Sequence, residues 1–375
     1  MSRESRYEPD RRADNGTHAD DAFAPPRRRL VIAAALAPVL AGAGTVIALT
    51  EPPKKAEAAK APQARFPREN GADGADGEDD GDGGKELLKP VPTTLADWKG
   101  VSDALGRTGE LVRGVFYHTR FPRSDLKVVS YGVKVSPGLA LGSHMGFVRY
   151  ADHSHLVMGD LNVTEKELQG VLDALTQHGI AVTALHKHLL SHSPDVWWCH
   201  IHGHGHDAAE LARGLRAAMD RTASPPARAP GRPPGTPPRP DLDVPGVEKV
   251  LGVKGSNDGG IYKCIFARRE PIIERGRLLP SGLGATSAFN FQALGDGRAA
   301  LNGDFAMVAD EVQEVLTILR KGGIQLVEVH NHGLYEEPRL FFTHLWAMDD
   351  AVKLAEALRP ALDVTNVVPV NSERE

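Results

Sequence analysis

Two stretches of this chain are copies of one another, and an internal duplication of this kind constrains the fold more than any local motif. Residues 158–203 align with residues 302–347 without a gap. The positions that agree include Gly159 with Gly303, Asp160 with Asp304, Glu167 with Glu311, His186 with His330, His188 with His332, and His200 with His344. After one residue of slippage, residues 207–220 match residues 350–363. The chain is therefore predicted to contain two tandem homologous domains.

The pattern inside each copy predicts an α+β fold. Thr164 and Glu167 form the Thr-x-x-Glu pattern of a helix start, and Gly179 is placed to end that helix. Residues 180–190 and 195–203 are apolar runs that indicate two strands, and Asp207 is placed to cap a second helix. Each copy is predicted to be an antiparallel sheet with a β-α-β-β-α tail and helices on one face.

Two segments of biased composition set the domain boundaries. Residues 51–93 are rich in Pro, Gly and acidic residues and predict a disordered linker, because they lack the apolar side chains that a core needs. Residues 223–241 are Pro-rich and predict a second, semi-rigid linker. The first repeat is then residues 94–222, the second is residues 242–366, and residues 367–375 form a tail.

Residues 1–50 predict an export signal or an N-terminal membrane anchor. Arg28 and Arg29 precede residues 30–50, which carry no charge, and this arrangement resembles a twin-arginine export signal. Ala41-Gly42-Ala43 fits a signal-cleavage site, whereas the length of the apolar run also fits a retained anchor. The protein is expected to act outside the cytoplasm, with membrane contact only through this segment.

The net charge and the number of cysteines limit the kinds of partner and structural module that this chain is expected to have. The net charge of −5 at pH 7 offers no basic surface for nucleic acid. The two cysteines, Cys199 and Cys264, exclude a disulfide scaffold and a four-cysteine zinc module. They are predicted to be buried free thiols, with a single disulfide as the alternative. The expected partner is an unidentified extracytoplasmic ligand or cell-wall component.

The shared histidines are the candidate functional residues. Alternate residues of a strand share one face, so His186 and His188 are predicted to project together. The following strand can place His200 beside them. Three converging imidazoles fit a divalent metal such as zinc, copper or iron.

One such set is predicted in each copy. Asp160 is a candidate carboxylate ligand of the first set, and His202 is a candidate fourth ligand. The candidate residues of the second copy are His330, His332, His344 and Asp304. A hydrogen-bonded structural cluster and metal-free acid–base catalysis remain open as alternatives, and the residues around His202, His204 and His206 also fit an exposed turn. No catalytic residue is assigned.

Several motifs together resemble the LppY/LpqO family of exported actinobacterial proteins. They are Pro-Arg-Ser-Asp-Leu at residues 122–126, Gly159-Asp160 at a strand end, Val-Thr-Ala-Leu-His-x-His at residues 182–188, and the Asp-Ala-x-x-Leu-Ala helix from residue 207. The resemblance implies a domain of unknown function, without an established reaction. Family members that are lipoproteins need a lipobox cysteine, but Ala43 stands at that position, so lipidation there is not expected.

The sequence therefore predicts an exported, envelope-associated protein that binds a divalent metal, with hydrolytic or oxidative activity as an extension of that role. The alternative is a non-catalytic binding module for a cell-wall polymer or a protein. Trp197-Trp198 and Phe341-Phe342 occupy matching strand positions, and one residue of each pair is expected to fill the core.

Overall fold

The computed structural model describes residues 87–226 and 239–371. The predicted export segment at residues 1–50, most of the predicted acidic linker and the centre of the predicted Pro-rich linker lie outside the described residues. Within the two described ranges, no helix is long and apolar enough to cross a membrane.

The described residues form two repeats with the same order of elements. The helices of the first repeat are a short 3₁₀ helix (Leu95–Trp98), α1 (Lys99–Leu105), α2 (Glu165–Gln177) and α3 (Ala208–Met219). Its strands are β1 (Glu110–Val112), β2 (Phe116–Pro122), β3 (Val129–Ser130), β4 (Val133–Lys134), β5 (Gly142–Arg149), β6 (His155–Thr164), β7 (Ala181–His186), β8 (His192–Ser193) and β9 (Val196–Gly205).

The second repeat has the corresponding elements and one additional strand. Its helices are α4 (Val244–Leu251), α5 (Ala309–Lys321) and α6 (Ala351–Asp363). Its strands are β10 (Ser256–Asp258), β11 (Ile261–Arg268), β12 (Ile273–Glu274), β13 (Arg277–Leu278), β14 (Thr286–Gly295), β15 (Arg298–Met307), β16 (Gln325–His330), β17 (Glu336–Glu337), β18 (Phe341–Asp350) and β19 (Val367–Val370).

Each repeat is built on one large antiparallel sheet. The strand order is β1-β2-β5-β6-β9-β7 in the first repeat and β10-β11-β14-β15-β18-β16 in the second, where β19 also pairs with β11. Each repeat adds a small three-stranded sheet, β4-β3-β8 or β13-β12-β17. The predicted α+β class and the β-α-β-β-α tail of each repeat are confirmed.

Local sequence explains where the helices begin. Thr164 precedes α2, and its backbone N–H donates to the Glu167 carboxylate at 2.8 Å, which is one half of a capping box. In the second repeat Val308 has no side-chain oxygen, so only the backbone half of the box remains, with 3.0 Å between Val308 N and the Glu311 carboxylate. Asp207 caps α3 as predicted, since its carboxylate accepts from the N–H of Ala209 at 2.8 Å.

The helices lie on the outside and the two large sheets pack face to face. In each repeat the helices and the outer face of the sheet form a core that contains residues of that repeat alone. The inner faces share two further cores, which combine Phe116 and Met158 with Phe342, and Trp198 with Trp346. The layers therefore run helix, sheet, sheet, helix, and the inner faces of the repeats cover each other.

A buried arginine joins the sheet to a helix in each repeat. Arg123, from the Pro-Arg-Ser-Asp-Leu motif, is fully buried, and its guanidinium donates to the carboxylates of Glu167 at 2.9 Å and Asp125 at 3.0 Å. The corresponding residues of the second repeat make the same contacts: Arg268, Glu270 and Glu311. Because the pairs are bidentate and buried, they fix the start of α2 and α5 against the sheet.

Two of the predicted domain boundaries differ from the structure. Residues 87–93 were assigned to the linker, but Leu88 bridges Arg277 of the second repeat and Pro90 bridges Tyr150 of the first. Leu88 packs on an inner core, and this apolar contact explains why the folded part begins earlier than the composition suggests. The predicted tail contains β19, which pairs with β11 through its Val-Val-Pro-Val sequence.

Candidate metal centre

In the first repeat, three histidines surround one buried aspartate. The Nε2 atoms of His186 and His188 lie 3.7 and 3.1 Å from Oδ2 of Asp160. Nδ1 of His200 lies 3.7 Å from Oδ1 of the same carboxylate. All three rings therefore lie beside one carboxylate, but the groups whose ligand atoms lie within 4.8 Å of one another combine His186 with His188 or with His200, not with both.

The sheet explains this convergence. Asp160 on β6 and His200 on β9 are direct partners in the antiparallel ladder, while β7 ends at His186 on the other side of β9. The neighbouring strand runs very close to Gly159, where a Cβ atom would come within 2.1 Å of the His144 carbonyl oxygen. Gly159 therefore allows the two strands to pack closely, and the next residue, Asp160, directs its carboxylate towards the histidines.

The second repeat repeats the geometry. Asp304 and His344 are ladder partners on β15 and β18, and Nε2 of His332 lies 3.3 Å from Oδ2 of Asp304. One ligand atom from each of Asp304, His330 and His344 can be chosen so that all three lie within 4.8 Å of one another. Each predicted set is thus assembled from the residues that the alignment indicated.

The sequence predicted one separate site in each copy, but the structure joins the two sets. The rings of His186 and His330 stack across the interface with 4.2 Å between their centroids. The rings of His188 and His344 are 3.8 Å apart, and those of His200 and His332 are 4.1 Å apart. The joined residues are called the central cluster here: Asp160, His186, His188, His200, Asp304, His330, His332 and His344. The physical reason is that both sets point from the inner sheet faces, which pack on each other.

Hydrogen bonds between the repeats hold the central cluster together. The Asn302 side chain of the second repeat donates to the His188 carbonyl oxygen at 2.7 Å. The Thr183 hydroxyl of the first repeat donates to the His332 carbonyl oxygen at 2.5 Å. Each repeat therefore fixes the backbone of a histidine that belongs to the other repeat.

Backbone carbonyls set the orientation of three of the rings. Nδ1 of His200 lies 3.3 Å from the Gly159 carbonyl oxygen, and Nδ1 of His344 lies 3.2 Å from that of Gly303. Nδ1 of His332 makes the equivalent contact with the Gly284 carbonyl oxygen at 3.3 Å. When the Nδ1–H group donates to a carbonyl oxygen, Nε2 keeps a free lone pair, and this arrangement is found for histidines that bind metals.

Nε2 of His186 and Nε2 of His188 lie 2.9 Å apart, but many other polar atoms of the central cluster have no hydrogen-bond partner. Buried side-chain atoms of this kind are Nδ1 of His186, Nε2 of His200, both ring nitrogens of His330, Nε2 of His332, Nε2 of His344, and Oδ1 of Asp160 and Asp304. Most buried polar atoms in proteins are hydrogen-bonded, so a group of unpaired atoms that face one another needs an explanation. A shared metal ion supplies one.

Burial keeps the imidazoles neutral. Removal from water lowers the pKa of His200 and of His332 to about 4. Burial and the neighbouring histidines also hold the pKa values of His186, His188, His330 and His344 well below the usual range, because both oppose a positive charge. Burial also raises the pKa of Asp160, and it raises that of Asp304 to about 6. At neutral pH the rings therefore present lone pairs, as a metal ligand must.

His202 is not brought to the first set. It pairs with Met158 in the β6–β9 ladder, one step of two residues away from His200 and Asp160. The groups around it are instead His204 and Glu274, a residue of the second repeat. The predicted exposed turn applies only to His206, because β9 extends through Gly205 and carries both His202 and His204.

Aromatic residues that the sequence assigned to the core also support the imidazoles. Trp198 is buried and stacks on His188 with 4.3 Å between ring centroids. Phe342 is buried and stacks on His332 with 3.4 Å between centroids. Trp197 is half-buried beneath the Lys187 ammonium, which lies 4.4 Å from its ring. The expectation that one residue of each aromatic pair fills the core is confirmed.

The cysteines take no part in the central cluster. Cys199 and Cys264 are both free and buried. Burial raises the pKa of the Cys199 thiol well above its usual range and that of Cys264 to about 12. Both therefore remain thiols, and the predicted buried free thiols are confirmed.

Comparisons with known proteins identify the repeat but not an activity. A family model described as a domain of unknown function, DUF1259, matches residues 99–221 and again residues 245–364. A search of curated proteins finds no match to the chain. A solved structure, that of the trimeric bacterial microcompartment shell protein PduB, aligns over 68% of this chain and 92% of its own at 10% identity. Its TM-score is 0.17, which does not show a common fold.

Proposed function

This chain belongs to the DUF1259 family, whose domain it carries twice, and we propose that its two repeats together bind a divalent transition metal through the central cluster. Zinc, copper and iron all accept imidazole and carboxylate ligands. The proposal differs from one metal site per repeat, because ligands from both repeats contribute to the same centre.

The observation that carries the proposal is the set of unpaired ring nitrogens that face one another across the interface. Three overlapping groups within the central cluster each place their ligand atoms within 4.8 Å of one another. Two of these groups combine both repeats: His186 and His188 with His344, and His186 and His200 with His330. The overlap supports one continuous centre in preference to independent sites.

The centre is partly open to solvent, which supports a reactive role. The side chains of Asp304 and His332 are 14% and 13% exposed. His144, which is exposed, pairs with Asp160 on the neighbouring strand β5. A partly exposed ion with histidine ligands would activate a bound water or a small substrate, so a hydrolytic or oxidative reaction is the activity that we propose.

Zinc binding by the full chain, produced without an affinity histidine tag, tests the shared centre. We expect His186→Ala in the first repeat and His330→Ala in the second to abolish the same binding event, measured by competition with a chromophoric chelator. His206→Ala is the control, because His206 is exposed and outside the central cluster. If each variant removed a different event and left the other intact, the repeats would bind metal separately. Unchanged binding in both variants would refute the proposal.

We also propose that the protein is exported and that it belongs to the LppY/LpqO family. Export is supported by Arg28-Arg29 and by the uncharged residues 30–50, and replacement of both arginines by lysine should block a twin-arginine route. The LppY/LpqO assignment is supported by the motifs at residues 122–126 and 182–188. Fractionation of the native host and metal analysis of the envelope protein would test the location and the metal.

The alternative of a non-catalytic binding module for a cell-wall polymer or a protein receives less support from the paired aromatic residues. Trp198 and Phe342 are buried against histidines of the central cluster. The half-buried Trp197 is covered by Lys187, so it does not present a free stacking face.

A further inference from the structure

A second group of metal-ligating side chains lies apart from the central cluster, where β9 of the first repeat faces β12 of the second. Nδ1 of His202 lies 4.0 Å from Oε1 of Glu274, and Nε2 of His204 lies 3.9 Å from the same oxygen. The two rings lie 4.7 Å apart between centroids. None of these three residues belongs to the groups of the central cluster.

This group is largely buried, and four of its polar side-chain atoms are unpaired. Glu274 is 1% exposed and His202 is 6% exposed, while the ring of His204 is 27% exposed. Nε2 of His202, both ring nitrogens of His204 and Oε2 of Glu274 have no hydrogen-bond partner. An ionised carboxylate with so little solvent needs a compensating cation or donor.

A second carboxylate, that of Glu336, lies next to Glu274. Glu336 on β17 is the ladder partner of Glu274, and its Oε2 is also buried and unpaired. A Cβ atom on Gly333 would lie 2.3 Å from Oε2 of Glu336 and 3.8 Å from Oε2 of Glu274, so both oxygens border the space beside this glycine. Burial and the nearby Glu274 raise the pKa of Glu336. Two arginines lie nearby: Nε of the mostly exposed Arg275 is 3.8 Å from Oε1 of Glu274, and Nη1 of Arg339 is 3.3 Å from Oε1 of Glu336. Neither of them contacts Oε2 of Glu274, which has no hydrogen-bond partner.

The equivalent positions of the other repeat do not carry the same side chains. Trp346 and Met348 stand at the positions of the second copy that correspond to His202 and His204. Ser130 takes the ladder position of Glu274, since it pairs with His192 as Glu274 pairs with Glu336. The unpaired carboxylate and the two histidines therefore occur together, although they come from different repeats.

We infer that His202, His204 and Glu274 form a second zinc site, distinct from the central cluster. Two histidines and one glutamate are a known ligand set of zinc sites that keep an open position. Tetrahedral bonds of about 2.1 Å place ligand atoms roughly 3.4 Å apart, so the two histidine–glutamate separations of 4.0 and 3.9 Å need to close by about half an ångström. The ligand atoms of all three residues lie within 4.8 Å of one another. The partial exposure of His204 leaves the fourth position to water or to a small anionic ligand.

Zinc content after equilibrium dialysis of the full chain tests the second site. We expect His204→Ala and the isosteric Glu274→Gln each to lose one zinc ion per chain relative to the wild type. Two control variants should keep this zinc ion: His206→Ala, in the exposed turn just after β9, and Glu337→Gln, the exposed neighbour of Glu336. Because Glu274→Gln keeps the side-chain volume, its loss of zinc is separable from a folding defect.

The same measurement separates this site from the central cluster. The His186→Ala variant should retain one zinc ion, and addition of His204→Ala to it should remove that ion. If the central cluster bound no zinc at all, the wild type would still bind one ion through the second site. The inference is overturned if His204→Ala and Glu274→Gln keep the wild-type zinc content, or if His204→Ala also empties the central cluster.

Discussion

Acid should destabilise the metal-free protein, because the central cluster keeps its histidines neutral. Burial holds the pKa of His200 and of His332 at about 4, against an ordinary value of 6.5. A depressed pKa contributes stability that is complete above the unfolded value and is lost as the pH falls towards the folded value. Between about pH 7.5 and about pH 5, each of these histidines therefore removes ~2 kcal/mol from the free energy of unfolding.

Asp304 acts in the opposite direction. Burial raises its pKa from 3.8 to about 6, so its contribution is complete below pH 3.8 and is lost as the pH rises through 6. Acidification over the same interval restores ~1.4 kcal/mol through this group. These three groups together leave a net loss of ~2.5 kcal/mol at about pH 5. The other depressed histidines of the central cluster add to this loss, whereas Asp160, whose pKa burial also raises, acts against it as Asp304 does.

Urea unfolding in the presence of EDTA measures this loss. The buried Trp98, Trp198 and Trp346 report unfolding by fluorescence, and linear extrapolation gives the free energy at each pH. His332→Gln removes one titrating ring and should reduce the pH-dependent loss by ~2 kcal/mol, whereas the exposed His206 can be replaced without effect. An equal or higher free energy of unfolding at about pH 5 would refute the reasoning.

Three further predictions concern packing and reactivity. Arg123→Met leaves buried carboxylates without their partner and should lower the free energy of unfolding by ~3–5 kcal/mol in urea melts. Gly159→Ala places a methyl group against the neighbouring strand, so it should lower the free energy of unfolding by at least ~1–3 kcal/mol and weaken zinc binding. Gly170→Ala is the matched control: its Cβ would lie 3.7 Å from Cβ of Arg221, so the substitution should be neutral or slightly stabilising. Cys199 and Cys264 should react with a thiol reagent only after denaturation, and fast labelling of the folded protein would contradict their burial.

Sequence reasoning succeeded where the governing interactions are local. The helix that begins after Thr164 and the one capped by Asp207 depend on side chains within three residues of the cap, and both begin as predicted. The strand predicted over residues 180–190 ends at His186, so His188 approaches Asp160 from the segment after β7 and not by strand alternation. The returning strand β9 carries His200, as expected.

The sequence did not reveal that the repeats share one centre. An alignment assigns each histidine to its own copy, and it carries no information on which sheet faces pack together. Trp198 and Trp346, which meet in one inner core, could have suggested that the faces carrying the histidines are covered by each other. Glu274 was missed because it lies on a two-residue strand more than sixty positions after its histidine partners, without a motif around it.

Anomalous diffraction at the zinc edge, on crystals of the full chain with zinc, tests the shared centre most directly. We predict a peak between the two sheets within about 2.1 Å of ring nitrogens from both repeats, with His186 and His344 among the ligands. The result that would contradict the account is the absence of a peak at this interface, or peaks bound by the residues of one repeat alone.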